Sequence, residues 1–210
     1  MLTAQSLQTR MKGMDINMDY NFFAMMSRMK LIERWSLMRN SQSENISEHS
    51  LEVAMLAHAL TIIGNERLGN KLNPDRAALI ALYHDASEII TGDMPTPIKY
   101  FNKDIQDAFR SVENVASERL LEMLPDYMRS YYEPIFFPGE EDEYLSKLIK
   151  AADKLSALIK CIEERKAGNT EFISAEKSIT GIIKDMGLKE VDIFMEEFLP
   201  AYYKNLDELQ

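Results

Sequence analysis

The chain has 210 residues, 46% of them hydrophobic, which is enough for one sizeable core, and no Pro/Gly/Ser-rich linker divides it. Its 34 acidic against 24 basic side chains give a formal net charge of -10, a field that repels nucleic-acid polymers and anionic membrane surfaces. The single cysteine, Cys161, excludes an internal disulfide and fits a reducing compartment, while no stretch approaches the roughly 18 apolar residues that span a bilayer, so a cytoplasmic protein is expected.

Residues 1–18 are polar and weakly periodic and read as a frayed extension without chemistry, leaving a single domain over 19–206. Helical periodicity then predicts segments near 20–33, 46–64, 74–90, 102–124, 141–167, 170–186 and 190–205. The breaks fall at Asn73-Pro74, at Gly92 through Pro97, at Pro134 through Gly139, at Gly168-Asn169 and at Gly187. No run alternates with a period of two, so the expected fold class is all-α. In the last segment Val191, Phe194, Phe198 and Tyr202 form an apolar stripe that serves either the core or a dimer contact.

Chemistry enters with the histidines. In the run LIALYHDASEII, His84 and Asp85 stand side by side within an apolar stretch, an arrangement costly in a core unless a bound cation compensates it. His49 opens a core-facing stripe with Val53, Leu56 and Leu60. His58 follows nine residues later, half a turn away at about 100° per residue, and is expected outside any shared site. On the predicted helix 74–90, His84 shares a face with Glu88, while Asp85 is turned by about 100° yet can reach a common cation. Asp153 borders an apolar stripe but has Lys150, Lys154 and Lys160 nearby, so a ligand role and a surface salt bridge both remain open. Histidine and carboxylate ligands suit Mn, Co, Fe or Zn rather than a thiolate-selected metal. Cys161 reads as a small packing side chain. Arg34-Trp35 closes an apolar helix, and GDMPTP at 92–97 is a stiff turn in which Pro95 and Pro97 fix the chain. Lys99 beyond it either adds charge toward a site or is solvated.

The order His49, His84-Asp85, Asp153 resembles the H…HD…D signature of the HD-domain metal-dependent phosphohydrolases. The words RWSLMRN at 34–40, ENISEHSLEVAMLAHAL at 44–60, ALYHDASEIITGDMPTPIKYFN at 81–102 and KAADKLSALIKCIEE at 150–164 are more specific. They resemble the bacterial 5'-deoxynucleotidase family within that superfamily. The resemblance implies an HD-domain helical bundle with a metal site between core helices, in a homodimer acting on deoxyribonucleoside 5'-monophosphates. It implies one divalent ion per subunit, Co or Mn first and otherwise Zn, Fe, Cu or Mg, held by His49, His84, Asp85 and Asp153. It further implies Arg34, Glu88 and Asp93 as catalytic residues, and Arg34, Trp35, Asp85, Asp93, Met94, Pro95, Thr96 and Asp153 around the substrate. Two other readings compete: an HD-type phosphohydrolase acting on another nucleotide or small phosphate ester, and a non-catalytic metal- and nucleotide-binding module. A complete ligand set beside Glu88 and Asp93 argues against the second, because a structural cage has no need of those acids.

Overall fold

The computed structural model describes residues 20–99 and 101–210, so the extension expected over 1–18 lies outside the described residues. Among these the regular structure is helical, with one isolated antiparallel bridge, Glu33 to Asn45. Ten α-helices follow in order: α1 Phe22–Met26, α2 Ile46–Leu68, α3 Pro74–Tyr83, α4 Glu88–Thr91, α5 Thr96–Lys99, α6 Lys103–Glu122, α7 Asp126–Phe136, α8 Glu143–Lys166, α9 Ile173–Asp185 and α10 Lys189–Glu197.

Local sequence sets the ends of the long helices. Asn45 caps α2 and accepts from Ser47 and Glu48 N–H, and the Glu48 side chain reaches back to the Asn45 N–H, a reciprocal capping box. Gly69, at φ 79°, stops the helix in the left-handed region that glycine enters without a Cβ clash. Asn73 caps α3 with Pro74 in its first turn, and Asn102 caps α6. Helices α2, α3 and α8 pack together around Val53, Leu60, Ala77, Ala81, Leu148, Ala152 and Leu155, all fully buried. α9 and α10 close this core with Ile183, Val191 and Phe194. The Arg76 guanidinium ties α3 to the start of α8, 2.6 Å from Asp142.

A second, smaller core gathers Phe22, Ala86, Leu120, Leu121 and Leu124, with Tyr83, Tyr132 and Phe136 packed on it. Phe22 meets Tyr132 edge-on at 5.0 Å. Ala86 belongs to this core although Ala81 belongs to the first, so the His84–Asp85 turn is pinned between the two.

Four segments differ from the periodicity. The helix expected over 20–33 is two short pieces, α1 and a 3-10 turn at Met29–Leu31, because only Phe22 and Met29 are buried while Phe23 and Leu31 are exposed. The helix expected over 74–90 stops at Tyr83. His84, Ala86 and Glu88 N–H then bond carbonyls three residues back, at 3.3, 3.0 and 3.0 Å, a tighter winding than the α-helix. α7 was not anticipated, since Pro125 precedes it and Pro134 lies within it, and proline reads as a break. The last segment ends at Glu197 and passes into a 3-10 turn, Leu199–Tyr203, where Pro200 cannot donate to the preceding turn. Its stripe divides: Val191 and Phe194 are core residues, whereas Phe198 is 47% exposed.

Candidate active site

His49 lies one turn into α2 and is fully buried; His84 and Asp85 form the turn after α3; Asp153 sits in mid-α8. His49 Nε2 is 3.5 Å from Asp85 Oδ2 and 3.2 Å from Asp153 Oδ1. His84 Nε2 is 3.2 Å from Asp85 Oδ2. His49, His84 and Asp85 converge tightly enough to hold one metal ion. Asp153 approaches through His49, and its other oxygen accepts from Lys154 at 2.8 Å, so of the two roles left open for it by the sequence the salt bridge is present and its first oxygen remains directed at the cluster.

The hydrogen-bond network orients both rings. Ser156 Oγ donates to Glu52 Oε2 at 2.6 Å, so its remaining capacity toward His49 Nδ1, 3.0 Å away, is to accept. That places the His49 proton on Nδ1. His84 Nδ1 faces the Ala81 carbonyl at 2.7 Å and likewise must donate. When the rings are neutral both Nε2 atoms therefore present lone pairs to carboxylate oxygens, and both are buried without a hydrogen-bond partner. Lone pairs facing carboxylates repel unless a cation lies between them. Separations of 3.2 to 3.5 Å also match those between ligands about 2.1 Å from a shared ion. The donor set fits a borderline divalent metal.

Burial lowers the His49 pKa, keeping the ring neutral. Burial opposes charge on His84 as well, but the adjacent Asp85 carboxylate outweighs it and raises that pKa. Asp85 and Asp153 are held below the usual carboxylate range despite burial, Asp85 mainly by His84 and Asp153 mainly by His49 and Lys154. Glu88 is the opposite case: burial, with Asp85 and Asp93 adding repulsion, pushes its carboxyl up to about 9, and its Oε2 is buried and unpartnered. Burial raises Asp93 too, against the pull of Arg34.

Arg34 and Trp35 lie on a strap rather than at a helix end. The Glu33–Asn45 bridge closes the strap, with Arg34 N–H donating to the Glu44 carbonyl at 2.9 Å and Ile46 N–H to the Ile32 carbonyl at 3.0 Å. Arg34 Nη1 reaches Asp85 Oδ2 at 3.4 Å, and Nε stands 3.5 Å from Glu44 Oε2 with no hydrogen bond. The fork thus has donors to spare for an anion. Trp35 Nε1 donates to Glu44 Oε2 at 2.6 Å, and the indole tilts against Phe172 at 5.3 Å. Of the 93–96 loop, Asp93 acts electrostatically on Arg34. Met94 and Pro95 are half-buried, and Thr96 is exposed at the start of α5.

Outside the cluster, His58 is 41% exposed and 3.8 Å from Asp75, as the helical arithmetic requires. Lys99 is neither solvated nor free: it pairs with Glu113 at 2.8 Å and covers the Phe109 ring at 5.0 Å. Cys161 is buried and its thiol is pushed up to about 12, chiefly by burial, which makes it inert. Sequence reasoning missed Glu44, Glu52 and Ser156. The signal for two of them was present, because Glu52 and Ser156 each lie three residues beyond a singled-out residue, His49 and Asp153, one helical turn along the same face.

A helical bundle carrying a His–His–Asp cluster between its core helices defines the class of HD-domain proteins. An HD-domain phosphohydrolase from Listeria innocua superposes with a TM-score of 0.76 at 24% identity, covering 89% of this chain and 90% of that one. A cyanophage S-2L HD phosphohydrolase, bound to dA and one catalytic zinc ion, superposes with a TM-score of 0.62 at 18% identity over 85% and 96% of the two chains. Within that class the chain belongs to the 5'-deoxynucleotidase YfbR-like family, whose model matches residues 21–202. It is 48% identical over 189 residues to a 5'-deoxynucleotidase of Erwinia tasmaniensis, covering 90% of this chain and 96% of that one. The 5'-deoxynucleotidase YfbR of Escherichia coli is 46% identical over 189 residues, 90% and 95% of the two chains.

Proposed function

We propose that this protein is a metal-dependent 5'-deoxynucleotidase that hydrolyses deoxyribonucleoside 5'-monophosphates to the deoxyribonucleoside and phosphate. The observation that carries the reading is the pair of buried, unpartnered histidine Nε2 atoms facing two carboxylates, beside an arginine with donors to spare. His49, His84, Asp85 and Asp153 would hold one divalent ion, with Co or Mn first by the family resemblance. When bound, the ion supplies acidity to a water molecule and positive charge to the phosphate.

The chain's own residues do the rest. Arg34 offers donors to the phosphate oxygens and stabilises the negative charge that grows as water attacks phosphorus. Burial and its acidic neighbours push the Glu88 carboxyl up to about 9, which favours the protonated acid at neutral pH; the substrate's negative charge adds to that effect and a bound divalent ion opposes it. Glu88 gives its proton to the 5'-oxygen as the P–O5' bond breaks. Asp93, a further acid within electrostatic reach of Arg34, Asp85 and His49, takes the proton lost by the attacking water. Trp35 forms a wall for the deoxyribose, and the 94–96 segment continues it.

The exposed Leu51, Met55 and Ile62 on α2 and Leu79 and Leu82 on α3 provide an apolar surface for the homodimer that the family resemblance implies. No described helix is long and apolar enough to cross a membrane, and one buried free thiol agrees with the cytoplasm as its compartment.

The test measures phosphate release from dAMP, AMP and a non-nucleotide phosphate monoester, with and without added divalent metal. Metal-dependent release that favours dAMP over AMP by about 10²-fold is expected. Equal efficiency on all three would leave a phosphohydrolase but remove the deoxynucleotidase assignment, and no release under any metal would leave only a binding module.

A further inference from the structure

Glu44 lies outside the helices, in the last turn of the strap, yet it touches three parts of the site. Its Oε2 accepts the Trp35 Nε1–H at 2.6 Å and stands 3.5 Å from Arg34 Nε. Its Oε1 is 3.7 Å from His49 Nδ1, and its carbonyl accepts the Arg34 N–H at 2.9 Å. The carboxylate is only 12% exposed. A hydrogen bond this short from a neutral donor to an ionised acceptor is of the charge-assisted kind, stronger and more directional than one between neutral groups.

The residue it holds needs holding. Trp35 is the one non-glycine residue with a positive φ among the described residues, at 58°, a region that side chains with a Cβ enter only where surrounding contacts over-determine them. Its carbonyl accepts from Met38 N–H at 2.8 Å and its ring leans on Phe172 at one side. These contacts fix the backbone and one edge of the ring, but leave rotation about the side-chain bonds. The Nε1–Oε2 bond removes that freedom.

We infer that Glu44 is the positioning residue for sugar selection: by clamping the Trp35 indole through Nε1 it holds rigid the wall that a ribose 2'-hydroxyl would strike. The inference rests on the deoxynucleotidase reading above and deepens it. A loosely held apolar wall rejects an added hydroxyl weakly, so discrimination requires that the ring cannot yield. Glu44 itself need not touch the nucleotide.

The chain contains one tryptophan, so its indole fluorescence reports on Trp35 alone. Glu44→Ala removes the acceptor, whereas Glu44→Gln keeps a carbonyl oxygen for Nε1–H and removes the charge. Trp35→Phe keeps a ring and removes the donor, testing the same bond from the other side should Glu44→Ala fold poorly. The readouts are kcat and KM on dAMP and AMP, indole emission and acrylamide quenching of the Glu44 variants, and bound metal by elemental analysis.

In Glu44→Ala the dAMP/AMP ratio of kcat/KM is expected to fall about tenfold or more from a wild-type value near 10². The loss should come through KM, with kcat on dAMP changed less than about threefold and metal content unchanged. Indole quenching should rise. Glu44→Gln should recover most of the selectivity and of the emission, and Trp35→Phe should lose selectivity as Glu44→Ala does. Wild-type selectivity in both Glu44→Ala and Trp35→Phe, or unaltered indole quenching in Glu44→Ala, would overturn the positioning role while leaving the deoxynucleotidase reading intact. A wild type that does not distinguish dAMP from AMP would overturn both together.

Discussion

The two halves of the site are built by different means. On the metal side every proposed ligand sits on or directly after a core helix, and second partners lock the rings: Ser156 and Glu52 behind His49, the Ala81 carbonyl behind His84. On the substrate side Arg34 and Trp35 ride a strap with a single bridge, and Asp93 to Thr96 lie in a loop that ends in a four-residue helix. What holds the strap is not its own secondary structure but α8. Glu164 accepts from Ser41 N–H and Oγ–H at 2.8 and 2.6 Å and from Lys160 at 2.6 Å, and Lys160 also donates to the Gln42 carbonyl. The charges that face a cation are thus placed by buried helices, where geometry is rigid, whereas Arg34, Asp93 and the shape around them are placed by tethered loops, where small rotations can tune selectivity.

This contrast is broken most severely from the metal side. Asp85→Ala removes the carboxylate that both histidines and Arg34 face, so bound metal and phosphate release should both fall to background, read by elemental analysis and a phosphate assay on the same sample. Full occupancy in that variant would take Asp85 out of the ligand set. Glu88→Gln is next. It should retain metal and lose turnover by about 10²-fold or more, and a variant with near-normal turnover would return the group to a structural role.

Much of the metal half was legible in the sequence. His49 heads the Val53, Leu56, Leu60 stripe, and helical arithmetic alone separated His58 from it. The placement of Asp85 and Glu88 was less legible, because periodicity continued the helix through 84–87 where the chain winds more tightly, and only the second core around Ala86 explains that turn. The substrate half could be recognised by its words but not by its physics. Nothing in the spacing of Arg34 and Trp35 announces a positive φ, and Glu44 is nine residues from the ring it holds. Loops lack the period that lets helix faces be read, so their contacts emerge only in three dimensions.

Smaller effects sharpen the comparison. Ser156→Ala leaves all four ligands but frees the His49 ring, and metal affinity measured by competition with a chelator should weaken by about 10- to 100-fold. An unchanged affinity would show that packing alone sets the ring. Glu164→Gln probes the strap instead. Burial would raise the Glu164 carboxyl, but hydrogen bonds from Lys160, Ser41 and Asn169 outweigh it and hold it below the usual range. A carboxyl depressed in the folded state stabilises it fully above the unfolded-state pKa of about 4.3, and that stability is lost as pH falls below it. The variant should therefore be destabilised by about 2 kcal/mol at pH 7, and the gap between its Tm and that of the wild type should narrow progressively as pH falls below about 5 toward the depressed folded-state value. A gap independent of pH would assign the loss to shape rather than charge.

Central to this account is that the lone pairs of His49 and His84 converge with Asp85 and Asp153 on one cation. Anomalous scattering from crystals grown with manganese tests that directly. The account predicts one strong peak per subunit within bonding distance of His49 Nε2, His84 Nε2, Asp85 and Asp153. A peak elsewhere, or none at saturating manganese, would contradict it.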